Sequence, residues 1–370
     1  MTGEGDAAPV RCYAQPMATL ALIPDEPIAR DGLVYPFGDR APQTGELIAV
    51  APGVHWWRLP MFGPLKHVNG YILQGEDGVT LVDTGFNSDA GVAAWRGLLA
   101  GPLGGATVTQ VLCTHYHPDH VGLAGWLCRQ HDAPLVMTRT EWLQVRMLTA
   151  DSRDDMPEEM VAFWRAAGWD DAQIAHASQR GWGNFQRIVS RLPLSFRRIA
   201  EGDVLRIGDT DWEVVVGSGH SPEHACLLDR ERGILIAGDQ VLPRISSNVS
   251  LGVSEPEGDP LGDWLASIAK LRTLPDDLLV LPGHGEPFTG LHVRLDQLDA
   301  EHTGRLDAVA AFLATPARAV DCFGQLFRRP IGPDVIGMAT GEALAHLRHL
   351  EVTGRAVREV RDGIWWYSAA

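Results

Sequence analysis

At 370 residues the chain is long enough for one large domain and a smaller one. Its 45% apolar and 21% charged content is that of a soluble globular protein, and no run approaches the roughly twenty apolar residues of a membrane span. A formal charge of −16, with Lys66 and Lys270 the only lysines, argues against nucleic acid or an anionic membrane as a partner.

The opening stretch Met17–Ile23 is too short and lacks the flanks of a secretory signal, so the cytoplasm is the expected location. Five cysteines (Cys12, Cys113, Cys128, Cys226, Cys322) without a Cys-x-x-Cys argue against a disulfide framework or a thiolate zinc site. Residues 1–45, rich in Pro, Gly and acids, read as an irregular arm. A domain over 46–290 then opens with strands at Glu46–Val50, Val54–Leu59, Val68–Leu73 and Val79–Val82, turning at Gly53, Gly75 and Asp77-Gly78. Val108–Cys113 is a further strand, Val121–His131 has helical spacing, and Pro134–Met137 is again a strand.

Residues 140–200 read as a helical insertion: Thr140 caps Glu141–Met147, a second run covers Pro157–Gly168, and a third covers Asp170–Val189. Its position suggests a lid, with Trp164 and Trp182 among the apolar residues that would bind substrate. Strands at Trp212–Val216, Gly233–Ala237 and Leu278–Leu281 follow. The tail, 291–370, reads as a helix over Leu291–Leu313, a second helix capped by Thr340, and a hairpin at Asp362-Gly363. That layout is winged-helix-like. Nine Arg against ten acidic residues leave this tail near neutral, so packing, homodimerisation or pocket closure is expected of it rather than DNA reading.

The chemistry lies where four of these strands end. His115-Tyr116-His117-Pro118-Asp119-His120 follows one, Gly219-His220 another, Gly238-Asp239 a third, and Gly283-His284 the last. Imidazole and carboxylate suit Zn²⁺, with Fe or Mn as alternatives, and glycine lets the backbone turn sharply beside an ion. Asp83 would orient a ligand imidazole, or equally close an Asx turn. His224 is read as a structural histidine hydrogen-bonded beside the site. Arg244 is a candidate anchor for a substrate carboxylate or phosphate, or else a surface arginine.

His-x-His-x-Asp-His, a lone His, Gly-Asp and a final Gly-His, with Val82-Asp83-Thr84-Gly85 upstream, together resemble the metallo-β-lactamase-fold superfamily over about residues 46–290. The resemblance implies an α/β fold: an αβ/βα sandwich of two mixed sheets, here with the helical insertion and a small C-terminal winged-helix-like α+β domain. It implies two divalent cations, one on His115, His117 and His220, the other on Asp119, His120 and His284, with Asp239 between them. Asp119 and Asp239 would be the catalytic carboxylates.

The expected activity is hydrolysis of a small thioester or ester through a metal-bound hydroxide, similar to the glyoxalase II-like branch. That branch's Gly-Cys-Gly-Arg-type segment is replaced by Gln240-Val241-Leu242-Pro243-Arg244, which weakens glutathione recognition and leaves coenzyme A or other acyl thioesters. Lactone hydrolysis is an alternative, weakened by Leu242 where lactonases usually have Tyr. Endoribonuclease-like processing is another, and mono-iron persulfide oxidation, which uses nearly the same ligands, a third.

Overall fold

The computed structural model describes residues 26–63, 65–179, 181–183 and 185–370. Cys12 and the Met17–Ile23 stretch lie outside them. The described part of the arm is not wholly irregular: Ile28–Arg30 (β1) and Leu33–Tyr35 (β2) form a hairpin turning at Asp31-Gly32, both at positive φ. Buried Leu33 and Tyr35 tie it down, the Tyr35 ring lying 6.5 Å from Phe288.

Next comes the meander Ile48–Ala51 (β3), Val54–Pro60 (β4), His67–Gly75 (β5) and Gly78–Val82 (β6). Asp89–Ala100 (α1), capped by the Ser88 hydroxyl, crosses to Val108–Leu112 (β7), which is parallel to β6. After the short helices Pro118–Val121 (α2) and Ala124–His131 (α3), Leu135–Thr138 (β8) pairs in parallel with β7. The insertion holds Arg139–Ala150 (α4), Glu158–Ala166 (α5), Asp171–Ser178 (α6) and Phe185–Ile188 (α7), and Arg197–Ile199 (β9) then completes a seven-stranded sheet.

The second sheet has five strands: Val204–Ile207 (β10), Thr210–Gly217 (β11), His224–Asp229 (β12), Ile234–Gly238 (β13) and, beyond Pro260–Leu271 (α8), Leu279–Pro282 (β14). The tail contributes Leu291–Phe312 (α9), Phe323–Leu326 (α10), Ile336–Val352 (α11) and the hairpin Ala356–Arg361 (β15) with Ile364–Ala369 (β16). Asp362 and Gly363 both take positive φ there, as a two-residue turn matching strand twist requires.

Alternation along the strands explains the layers. Val214, Leu227 and Ile236 join Trp56, Tyr71 and Leu112 in a core between the sheets. Their neighbours Val215, Leu228 and Leu235 face the other way, onto Trp264, Ile268 and Leu295 of α8 and α9. On the opposite outer face Trp57 meets Trp95 of α1 edge-on at 4.3 Å, with Leu81, Val111 and Leu127 around them. Strands buried on both faces are apolar throughout, which is why they read as unbroken Val/Ile/Leu runs. Such edge-on ring pairs add about 0.5–1.5 kcal/mol beyond burial.

Two expected helix starts differ, and one expected run is broken in two. The first insertion helix begins at Arg139 with Thr138 as its N-cap, and Thr140 lies inside it. Thr138 donates to the Glu223 carbonyl instead of capping. The 170–189 run breaks into α6 and α7, although Asp170 does form a capping box with Gln173. In the tail, α11 starts at Ile336, and buried Thr340 bonds back to the Ile336 carbonyl while accepting the Trp169 indole N–H at 2.8 Å. At the two displaced starts a Thr hydroxyl is engaged away from the cap, Thr138 with the Glu223 carbonyl and Thr340 with the Ile336 carbonyl and the Trp169 indole, so local capping preference misplaces the boundary.

Candidate metal centre

Both sheets deliver the candidate residues from carboxyl ends of strands. Asp83 follows β6, Thr114 to His120 follow β7, His220 follows β11, Asp239 follows β13 and His284 follows β14. All seven side chains expected from the sequence to hold metal converge there.

They form two groups. His115 Nε2, His117 Nδ1 and His220 Nε2 are the corners of a triangle with sides of 2.9, 3.0 and 3.3 Å. In the other group, His284 Nε2 lies 3.2 Å from Asp119 Oδ2 and 3.5 Å from Asp239 Oδ2. His120 Nε2 lies 3.3 Å from Asp239 Oδ1 and 3.7 Å from Asp119 Oδ2. Asp239 Oδ2 is also 3.6 Å from His220 Nε2, so one carboxylate reaches both groups.

Hydrogen bonds on the far side of the rings set their tautomers. His220 Nδ1 donates to the Asn248 carbonyl at 2.8 Å and His284 Nδ1 to the His67 carbonyl at 3.0 Å, leaving each Nε2 with its lone pair inward. His120 Nδ1 is 2.8 Å from Asp83 Oδ2, and His115 Nδ1 is 3.0 Å from Thr114 Oγ1, which itself donates to Asp83. Asp83 thus orients two rings, directly and through a hydroxyl. It sits at φ 59°, a conformation in which it also accepts the Thr114 N–H at 2.8 Å.

Burial pushes His117 down to about 3 and holds His115 well below the usual imidazole range, with the neighbouring rings adding to the effect. These are neutral donors. Burial opposes charge on His284 too, but Asp239 and the Asp119 hydrogen bond outweigh it and lift that ring to about 10. Asp119 and Asp239 stay ionised despite their burial, because His120 and His284 hold them down.

The donor set fits a pair of cations. A tetrahedral ion with bonds of about 2.0–2.1 Å places its ligands roughly 3.3 Å apart, near the sides of the nitrogen triangle. Buried His120 Nε2 and Asp239 Oδ1 have no hydrogen bond, a state that an ion resolves. The backbone leaves room accordingly. A Cβ on Gly283 would lie 2.1 Å from Asp239 Oδ1, and one on Gly238, at φ 48°, would lie 2.6 Å from the His224 ring. Glycine at both positions lets strand ends meet the carboxylate closely.

His224 stays out of both groups. Its Nε2 accepts the Asp239 backbone N–H at 3.1 Å and its ring stacks on His115, so it fixes the Asp239 turn. Arg244 pairs with Glu286, which is also 3.5 Å from Arg58. Both arginines line a cavity of about 250 Å³ that includes His284. Trp164 and Trp182 lie apart from the ligands: Trp164 stacks on Trp169 at 4.6 Å, and the Trp182 indole donates to Asp151 at 2.8 Å.

Two supporting residues escaped the sequence reading. Asn69 donates to the Pro282 and Gly285 carbonyls at 2.8 and 2.9 Å and accepts the Trp56 indole N–H, pinning the His284 loop. Glu141, fully buried on α4, accepts from the Tyr116 N–H, the Ser221 hydroxyl and the Glu223 N–H at 2.7–2.8 Å. It therefore joins the loops carrying His117 and His220. Its signal was position: it follows β8, whose carboxyl end lies on the same rim. Burial pushes its carboxyl up to about 7 against those three donors. Glu141→Gln keeps one oxygen but turns an amide N–H towards an N–H, and should cost about 1–3 kcal/mol. Urea unfolding at pH 8, where Glu141 is ionised, measures this; an unchanged midpoint would refute the clamp.

An αβ/βα sandwich with a two-group histidine–carboxylate centre on one rim defines a metal-binding enzyme fold. The chain belongs to the metallo-beta-lactamase superfamily, whose description matches residues 63–284, and residues 306–370 match the metallo-beta-lactamase-like C-terminal domain. A crystal structure of a beta-lactamase domain protein from Burkholderia ambifaria is 39% identical with a TM-score of 0.85, covering 91% of this chain and 98% of that one. "Probable metallo-hydrolase YqjP" of Bacillus subtilis (strain 168) is 26% identical over 80% of this chain and 91% of its own length. "Acyl-coenzyme A thioesterase MBLAC2" of Gallus gallus is 28% identical over 64% of this chain and 79% of its own.

Proposed function

We propose that this metallo-hydrolase cleaves acyl thioesters, adding water to give a carboxylate and a free thiol. The observation that carries the reading is the single carboxylate of Asp239 reaching both donor groups, an arrangement suited to two ions sharing one ligand. The name of the Gallus gallus relative supports the thioester class.

In this reading His115, His117 and His220 would hold one cation and Asp119, His120 and His284 the second, with Asp239 within reach of both groups. Bound there, divalent cations supply an acidified water and a Lewis acid for the carbonyl. Asp119, ionised and at the edge of the second group, orients the attacking water and takes up its proton on a carboxylate oxygen. Asp83 and His224 hold ligand geometry from behind. Arg244 and Arg58, sharing Glu286 beside His284, would receive an anionic group on the substrate, such as a phosphate of the thiol carrier.

A panel of acyl-coenzyme A esters, lactones, single-stranded RNA and a persulfide, assayed with protein analysed for metal, tests this. Thioesters should be turned over with kcat/KM at least about 100-fold above lactones, a difference of roughly 2.7 kcal/mol in the barrier. Preferential RNA cleavage, or one iron per chain with oxygen consumption on the persulfide, would overturn the reading.

A further inference from the structure

An apolar cavity of about 380 Å³ lies between the helical insertion and the start of α11. Trp164, Trp169, Trp182 and Phe185 wall one side, and Ile336 and Met338 the other. Its size falls in the range that encloses small-molecule ligands. Asp151 in its lining accepts from the Trp182 indole and from Arg153, and the Trp169 indole donates to Thr340, while His176 and Asp334 are the other titratable groups on its wall.

Two routes connect its walls to the three-histidine group. The Phe185 ring lies 6.4 Å from Tyr116, whose own ring is 4.4 Å from His117. On the other side, one turn beyond Met338, Glu342 accepts from the Asn248 amide at 3.1 Å, and the Asn248 carbonyl accepts from His220. The arginine-lined cavity lies at the other group, beside His284. The cationic cavity thus includes a ligand residue, His284, whereas the apolar one stands off from His117, with the Tyr116 ring between that histidine and Phe185 of the wall. Met338, in the apolar wall, is 59% exposed, an apolar side chain left for something to cover.

We infer that the apolar cavity binds the hydrocarbon chain of a medium- to long-chain acyl thioester, with the thiol carrier on the arginine side. The assignment rests on the thioesterase reading and sets the orientation of the substrate across the centre. It makes chain length the specificity variable. Each methylene added within the cavity should tighten binding by about threefold to fourfold, until the space is filled.

Two variants probe it without threatening the fold. A Cβ at Gly337, which lines the cavity from α11, would meet no atom within 4 Å, so Gly337→Leu adds bulk to open space. Met338→Glu puts a carboxylate on an exposed part of the wall. The assay compares kcat/KM for acetyl-, hexanoyl- and dodecanoyl-coenzyme A, and independently follows dodecanoate binding through the fluorescence of the wall tryptophans. The wild type should favour dodecanoyl over acetyl, and both variants should lower that ratio at least tenfold and weaken dodecanoate binding.

A flat chain-length profile in the wild type, or an unaltered ratio in both variants, overturns the assignment while leaving the thioesterase reading standing. Dodecanoate bound by the wild type and not by the variants, with no thioester cleaved, supports the cavity and sinks the thioesterase reading instead.

Discussion

Asp239→Asn should reduce bound metal from two ions per chain to one or fewer and lower turnover by about three orders of magnitude or more. An amide oxygen carries no charge to offset two cations, and only one of its two terminal atoms accepts. In the protein as it stands, Asp239 Oδ1 faces His120 and Oδ2 faces both His284 and His220. Metal analysis after dialysis, alongside thioester kinetics, measures both effects. Two tightly held ions in the variant would show that the carboxylate is not shared.

The same residue predicts a pH signature for chelated protein. Asp239 is held well below its ordinary value, so its contribution is present above the unfolded carboxylate range of about 4 and fades as pH falls further. His284 is lifted to about 10, so its contribution is complete below the unfolded value of about 6.5 and is lost as pH climbs towards 10. Chelated wild type should therefore weaken from about pH 6.5 towards pH 10, and also below about pH 6.5, where unfolding lets the buried neutral rings of His115 and His117 take up protons. Asp239→Asn should flatten the alkaline slope, which thermal melts across the range would reveal.

Asp119→Ala should lower kcat by about a thousandfold, within the 10²–10⁴ range for removing a positioned proton acceptor, while much of the metal is retained. Asp119 approaches His284 and His120 and stands outside the three-histidine triangle. A separation of kcat from metal content is the diagnostic result. A variant that lost both ions with its activity, or kept a tenth of wild-type turnover, would refute a proton-handling role for Asp119.

How much was legible depended on range in the chain. The ligand residues announce themselves because each lies in the polar loop directly after an apolar strand, flanked by glycine or packed into one loop, as in Leu112 to His120. Burial of both sheet faces made β7, β11, β13 and β14 stand out as continuous runs. By contrast β12, which carries His224, and the amphipathic helices α1 and α8 were not picked out, although all are plain in the fold. Glu141 had no local mark as a clamp: three donors from two distant loops reach it only when β8 and the His220 loop lie side by side.

Which residues can donate to a metal is a matter of chemistry and chain direction, since a residue's donor atoms and its place after a strand are inherent in the sequence; the sandwich and the division of the ligands into two groups followed from the resemblance to the superfamily. Which nitrogen of each imidazole faces inward, which carboxylate reaches both groups, and where the insertion and α11 leave open space depend on contacts between segments a hundred or more residues apart. His220 turning its Nε2 inward because the Asn248 carbonyl takes the Nδ1 proton is one such decision. Tertiary packing alone made it, because hydrogen-bond partners and cavities exist only once the layers have closed on one another.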